Sequence, residues 1–289
     1  MRILVTGGTG FVGSHLVPTL LARGHELTLL SRSREKLLTQ PWHDQVRFVA
    51  HDINVGNPAP ALDALGNPEL LVHLAWPGLP NYKDLFHIEQ NLPADYLLIK
   101  TLVAAGLPRV MVTGTCFEYG MQEGCLAEDG PTRPETPYGL AKDTLRKGLE
   151  MLARQLPFQL TWVRLFYMHG SGQHARSLMA QLDQAIARGD SHFNMSGGEQ
   201  LRDFLAVHQV ATILADLADH PARASGIYNC CSGQPVSVRN LVEARLREKG
   251  AAMQLNLGYY PYPDYEPMAF WGSRLKLDAV LGSALQHTD

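Results

Sequence analysis

An α/β architecture, with a doubly wound parallel sheet followed by a smaller α/β region, is predicted by three observations. A short apolar strand at the N-terminus runs into a Gly-rich turn, a helix and a second strand, which is how a parallel sheet opens. Later apolar runs at Arg109–Thr113 and Thr161–Phe166 read as strands, and two clear helices lie at 93–105 and from Tyr138 to about Gln155. The length of 289 residues accommodates one large α/β domain and a smaller second one.

The first strand covers residues 2–6, and Thr-Gly-Gly-Thr-Gly-Phe-Val-Gly (6–13) follows at once. A helix then runs to about Arg23, with Val12, Leu16, Leu20 and Leu21 on one side. Gly24 stops it, and Glu26–Leu30 resumes as a strand. The glycines are spaced G-x-x-G-x-x-G. Gly7 permits the tight turn, Gly10 lets backbone N–H groups approach a pyrophosphate, and Gly13 lets the helix pack closely on the strand. A dinucleotide cofactor is therefore expected. The end of the second strand selects which one. Where a carboxylate would bond a ribose 2′-hydroxyl, the chain has Ser31-Arg32-Ser33-Arg34, with no carboxylate until Glu35. Hydroxyls and the guanidinium groups of Arg32 and Arg34 suit a 2′-phosphate, so NADP(H) is expected over NAD(H). A short helix at 34–38 follows.

Tyr138 and Lys142 stand four residues apart on one helix face, after a loop punctuated by Pro131, Pro134 and Pro137. A phenol titrates near ~10, and bringing it to neutrality needs roughly 4 kcal/mol in favour of the phenolate. A close ammonium in a dry site supplies much of that. The pair is thus a candidate for proton transfer.

Composition limits the alternatives. Hydrophobic residues make up 45% and charged residues 18%, ordinary values for a soluble globule. A net charge of −3 without a basic run argues against a nucleic-acid partner. No apolar stretch approaches the ~18 residues that span a bilayer. The opening strand meets glycines and no cleavage-type signal, so a cytoplasmic protein is expected. Cys116, Cys125, Cys230 and Cys231 lack metal or disulfide spacing and read as buried free thiols. Twelve His form no H-x-x-x-H cluster with a carboxylate, so no metal site is expected.

The ordered motifs resemble the extended short-chain dehydrogenase/reductase family, in its nucleotide-sugar epimerase/dehydratase/reductase branch, over nearly the whole chain. The resemblance implies a Rossmann domain at 1–166, rejoined by 203–232 with a return to the sheet near Phe204–Val207. The remainder of 167–289 is mainly a smaller α/β substrate-binding domain. Thr6–Gly13, including Phe11 and Val12, matches the cofactor fingerprint. Val49-Ala-His-Asp-Ile matches a third strand whose Asp52 contacts adenine beside Ile53, and Val72-His-Leu-Ala places Leu74 and Ala75 by the cofactor. Asn91 matches an Asn that steadies the central strands. Gly114–Gly120 presents the active-site hydroxyl, Thr115, and Tyr138 and Lys142 complete a catalytic triad in which Lys142 lowers the Tyr138 pKa. In the second half, Gly197–Phe204 implies that Arg202 binds the substrate diphosphate. Tyr228–Gly233 matches a strand entering a turn, and Glu266–Gly282 a late substrate segment with Trp271 and Arg274. A homodimer is implied through a four-helix bundle, which Leu97, Leu98, Leu102, Leu145, Leu149 and Leu152 would suit.

Departures from the family shape the expected reaction. The dehydratases carry Asp-Glu directly after the active-site Thr, and here Cys116 and Phe117 hold those places, so elimination of water is not expected. Glu118 stands in for them only if the chain turns there. Tyr167 replaces a substrate-touching Asn, with His169 nearby as a further pocket residue. The chain also ends soon after Gly282, short of the usual family tail. The expected activity is NADPH-dependent reduction of the 4-keto group of a nucleotide-activated 4-keto-6-deoxyhexose. The alternatives are a nucleotide-sugar 4-epimerase with tightly bound NAD(P), and a non-catalytic NADP-binding sensor, which the intact Thr115–Tyr138–Lys142 set disfavours.

Overall fold

The computed structural model describes residues 1–54, 56–220 and 224–282. Seven strands form one parallel sheet: β1 (Arg2–Thr6), β2 (Glu26–Ser31), β3 (Arg47–Ala50), β4 (Leu70–His73), β5 (Arg109–Thr115), β7 (Gln159–Leu165) and β11 (Gly226–Cys230). Between β5 and β7 lies the short β6 (Gly124–Leu126). The spatial order is β11-β7-β5-β4-β1-β2-β3. The chain winds outward in one direction from β1 to β3 and in the other from β4 onward, so a crevice opens at the carboxyl ends of β1 and β4.

Helices cover both faces, as the nearly continuous apolar strands require. One face packs α1 (Gly13–Ala22) against α6 (Val207–Asp219) and buries Ile3, Val5, Leu16, Leu20, Val210 and Leu214. The other packs α3 (Leu92–Ala104) against α4 (Pro137–Ala153), over Leu4, Leu71, Val110, Val112 and Trp162. The short α2 (Arg34–Leu38) follows β2, capped by Ser33, whose hydroxyl accepts the Lys36 N–H at 3.2 Å.

Leu98, Leu102, Leu145, Leu149 and Leu152, considered for a helix pairing between subunits, belong to this internal core. Of the six, Leu97 alone faces outward, at 40% exposure. An amphipathic helix spends its main apolar stripe on its own sheet first.

The smaller lobe is assembled from β8 (Tyr167–His169), α5 (Leu178–Arg188), β9 (His192–Asn194), β10 (Leu201–Ala206), β12 (Pro235–Ser237), α7 (Val238–Lys249), β13 (Gln254–Asn256) and β14 (Phe270–Gly272), whereas α8 (Leu275–Leu281) returns to the large domain and packs on β11 and α6. Its strands pair as β12-β10-β8, β13-β9 and β14-β6. The return to the large sheet expected at 204–207 comes later. Residues 201–206 pair with β8 and β12, and β11 instead adds to the edge beside β7, in register Tyr228 to Val163. Helix α6, between them, docks on α1. Residues 55, 221–223 and 283–289 of the expected domain ranges lie outside the described residues.

Candidate active site

A cavity of about 1170 Å³ runs from the carboxyl ends of β1 and β2, past β4 and β5, into the smaller lobe. Its first wall is the Gly-rich turn. Gly7 has φ +71°, and a Cβ there would sit 2.7 Å from the Ala75 nitrogen. A Cβ on Gly13 would collide with the Gly7 carbonyl oxygen and lie 2.6 Å from the Gly8 Cα. Only glycine lets β1, the start of α1 and the chain after β4 approach so closely. The amino end of α1 therefore faces the cavity, and Gly10, Phe11 and Val12 line it. Such a helix start favours an anion, which fits the pyrophosphate of a dinucleotide.

At the end of β2, Ser31, Arg32, Ser33 and Lys36 line the cavity, opposite Asp52 and Ile53 beyond β3. Arg32 lies 3.5 Å from Asp52, with both side chains more than half exposed. Arg34 does not line the cavity; its guanidinium stands 6.0 Å from the Phe48 ring centroid. The helical turn that Ser33 caps carries Lys36 inward in its place. Leu74 and Ala75 line the cavity at the end of β4. Asn91 also lines it, but its amide holds the Pro77 carbonyl at 3.0 Å and accompanies His87, so it fixes the segment after β4 rather than a strand.

Thr115, Tyr138 and Lys142 converge at the end of β5. Thr136 caps α4 by accepting the Gly139 N–H at 3.1 Å, and Pro137 occupies the first turn. Tyr138 is thereby set at the cavity wall, where the Thr115 hydroxyl acts on its phenol. Lys142 donates to the Thr113 carbonyl at 2.8 Å and lies 4.0 Å from the Trp76 ring centroid. Burial acts oppositely on the two groups. It raises the Tyr138 pKa well above that of a free phenol, the Thr115 hydroxyl pulling the other way. It lowers Lys142 to about 8, against the pull of Asp95 and Glu118. The expected lowering of Tyr138 by Lys142 is not what the protein alone provides, because desolvation dominates. The Tyr138 phenol is neutral here.

A buried scaffold supports the triad. His87 accepts the Trp76 indole N–H at 3.0 Å on Nδ1, and its Nε2 lies 3.0 Å from the Asn81 carbonyl, which fixes a neutral Nε2–H tautomer. Burial depresses its pKa. Between β1, β4 and α3, His73 lies 2.8 Å from the Thr6 hydroxyl and 3.2 Å from Asp95.

After Thr115 the chain does turn, through Cys116–Glu118. Cys116 and Phe117 face the cavity. The Glu118 carboxylate goes the other way, into full burial. It accepts the Thr115 N–H at 2.9 Å, the Trp162 indole at 2.9 Å and Arg164 Nε at 2.7 Å. It cannot replace the missing dehydratase carboxylates, because its lone pairs are committed to the scaffold. Burial holds the Cys116 thiol far above its ordinary pKa, so it too stays neutral.

The smaller lobe closes the other end. Tyr167 and Arg202 line the cavity, whereas His169 and Arg274 do not. His169 is half-buried at the end of β8, where burial and the Arg245 charge lower its pKa. Arg274 bonds the Cys231 carbonyl at 2.7 Å and Asp278 at 2.8 Å, pinning α8 to the turn after β11. Arg202 is not paired with Asp203. It meets Glu266 at 2.9 Å, while Asp203 accepts the Ser232 and Gly233 N–H groups at 2.6 and 2.9 Å. Of the four cysteines, Cys125 is exposed and the other three are buried.

Trp76, Tyr82, Tyr265, Glu266 and Lys36 are cavity residues that sequence reasoning did not single out. Tyr82 and Tyr265, with ring centroids 6.0 Å apart, and Phe117, 4.8 Å from Tyr82, wall the approach to Tyr138. The signal available was the aromatic and proline density of Tyr259–Tyr265, unusual for a surface loop.

The model of the NAD dependent epimerase/dehydratase family matches residues 3–231. A dTDP-6-deoxy-L-talose 4-dehydrogenase (NAD(P)(+)) of Kitasatospora kifunensis is 31% identical over 274 residues, covering 91% of this chain and 83% of that protein. A dTDP-6-deoxy-L-talose 4-dehydrogenase (NAD(+)) of Aggregatibacter actinomycetemcomitans is 28% identical, covering 95% of this chain and 100% of that protein. Among solved structures, MoeE5 in complex with UDP-glucuronic acid and NAD is similar with a TM-score of 0.83 and 28% identity, covering 98% of this chain and 93% of that one.

Proposed function

The chain belongs to the NAD-dependent epimerase/dehydratase family, and on that premise we propose that it reduces the 4-keto group of a nucleotide-activated 4-keto-6-deoxyhexose with NADPH. The observation that carries this reading is the neutral Tyr138 phenol sharing the cavity wall with the Thr115 hydroxyl, with no carboxylate on the two residues that follow Thr115. That arrangement can protonate a new alkoxide but has no acid/base pair for eliminating water. Two relatives named for oxidation at C4 of a 6-deoxyhexose support it, since a dehydrogenase run backward is a ketone reductase.

The nicotinamide, when bound, supplies the hydride. Thr115 would orient the sugar C4 oxygen through its hydroxyl. Tyr138 would give its phenolic proton to that oxygen, a contribution of roughly 10²–10⁴ in rate. The Lys142 ammonium would bind the nicotinamide ribose and stabilise the phenolate left behind. Trp76, Tyr82, Phe117 and Tyr265 would keep water from the reacting end, which strengthens each of these interactions.

NADP(H) preference would rest on Ser31, Arg32, Ser33 and Lys36, since Arg34 turns away. A homodimer would use the outward sides of α3 and α4, which expose Leu97, Leu140 and Met151.

The test is loss of NADPH absorbance with a panel of dTDP-, CDP-, GDP- and UDP-linked 4-keto-6-deoxyhexoses. Oxidation of NADPH with at least one of them is expected. No turnover, together with interconversion of a UDP-hexose without added cofactor, would make the protein a 4-epimerase. Tight NADP binding without any turnover would make it a sensor.

A further inference from the structure

Arg202 and Glu266 meet in the wall of the cavity, Nη2 to Oε2 at 2.9 Å and Nε to the same oxygen at 3.3 Å. Their side chains are 3% and 11% exposed. The guanidinium uses its remaining nitrogen on the protein, with Nη1 donating to the Leu201 carbonyl at 2.8 Å and the Met268 carbonyl at 3.3 Å. Its faces lie against the rings of Tyr167 and Phe270, 5.7 and 4.8 Å away. Of the five N–H donors of an arginine, little is left for a ligand.

The pair also stands close to the reacting end. Tyr167 and Phe270, which Arg202 covers, share an apolar cluster with Cys116, the residue after Thr115, and the ring of Tyr265, next to Glu266 in the chain, lies 5.9 Å from Phe117, itself 6.0 Å from Tyr138. A carboxylate therefore stands in the wall beside Thr115 and Tyr138, paired with Arg202, its one ion-pair partner among the described residues.

We infer that Glu266 is a specificity-determining residue that reserves the sugar end of this cavity for uncharged hexosyl groups and turns away sugars bearing a carboxylate. This rests on the nucleotide-sugar reading above. Glu266 takes the Arg202 contacts that an acidic sugar would need, and it repels that sugar's own negative charge. A neutral hydroxyl or the methyl of a 6-deoxyhexose meets neither obstacle.

The experiment measures dissociation constants calorimetrically on the NADP⁺-loaded protein for UDP-glucose against UDP-glucuronic acid, and for the corresponding dTDP pair. In the wild type, at least one pair should favour the neutral sugar by tenfold or more. Glu266→Gln keeps an oxygen for Arg202 to bond but removes the charge, and should cut that ratio at least tenfold, chiefly by tightening the uronate. A wild type that binds both sugars equally, or a ratio unchanged in Glu266→Gln, overturns the inference. Should Glu266→Gln fail to fold, the wild-type ratio alone decides. Failure to reduce any keto sugar leaves these ratios standing, whereas failure to bind any of the four sugars removes the inference together with its premise.

Discussion

The Lys142 ammonium donates to the carbonyl oxygen of Thr113 at 2.8 Å, while Tyr138, one helical turn earlier, stands where the Thr115 hydroxyl acts on its phenol. The two groups that share a helix face are thus set against alternate residues of a single strand, β5. Since the Thr113 carbonyl and the Trp76 ring hold the ammonium in a buried place, Lys142 carries the cost of desolvation.

That cost gives stability a defined pH dependence. Burial pushes Lys142 down to about 8 in the folded chain, below the 10.5 of a free lysine, so between these values the unfolded chain binds the extra proton. Stability from this group therefore rises with pH across that window. Denaturation in urea at pH 8 and pH 10 should show the wild type gaining about 2 kcal/mol relative to Lys142→Met over that interval. A difference that stays flat would place the Lys142 ionisation elsewhere.

Tyr138→Phe removes the donor and keeps the ring packed against Tyr82, Phe117 and His87. Turnover should fall by at least ~10²-fold with cofactor affinity within about threefold of wild type. Near-normal turnover would show that another group delivers the proton.

The three basic residues after β2 should not behave alike. Arg32→Ala and Lys36→Ala should each weaken NADPH roughly tenfold with little change for NADH, as expected for a charge-assisted contact to a 2′-phosphate. Arg34→Ala, which loses only a contact over Phe48, should leave both affinities within about twofold. Fluorescence titration distinguishes the cases, and equal NADPH and NADH binding in all four proteins would refute the assignment of this end of the cavity.

Glu118→Gln tests the scaffold behind Thr115. The substitution leaves the Arg164 guanidinium, 1% exposed, without its carboxylate, and should destabilise the fold by about 3–5 kcal/mol. Any surviving activity should be lower and should not include dehydration. Unchanged urea stability would mean that the Tyr119 hydroxyl and Glu128 carbonyl suffice for Arg164.

The sheet and the cofactor end were legible because they depend on local rules. A strand, glycines at fixed offsets and an apolar-faced helix state their geometry within about two dozen residues, and Gly7 and Gly13 stand where backbone contact forbids a Cβ. Arg34 and Lys36 show the limit of such reading. Which of two basic residues faces inward follows from the phase of a five-residue helix, set by Ser33. The substrate end was less legible still. Arg202 finds Glu266, and Tyr82 finds Tyr265, across separations of 64 and 183 residues that no periodicity encodes. His169 looked like a neighbour of Tyr167, and the alternation of β8 does put the two on one face, but the cavity lining stops at Met168, one residue short of it.

The late return of the chain at Gly226–Cys230 also bears on how the protein is made. Strand β7 pairs with β5 on one side and with β11 on the other, and β11 is synthesised only after β8, α5, β9, β10 and α6. A nascent chain emerging from the ribosome therefore carries β7 as an open edge, with Thr161, Trp162 and Val163 ready to pair with any strand that comes near. A chain stopped anywhere before Cys230 keeps that edge. Translation speed through the smaller lobe thus sets how long the half-finished sheet is exposed to aggregation.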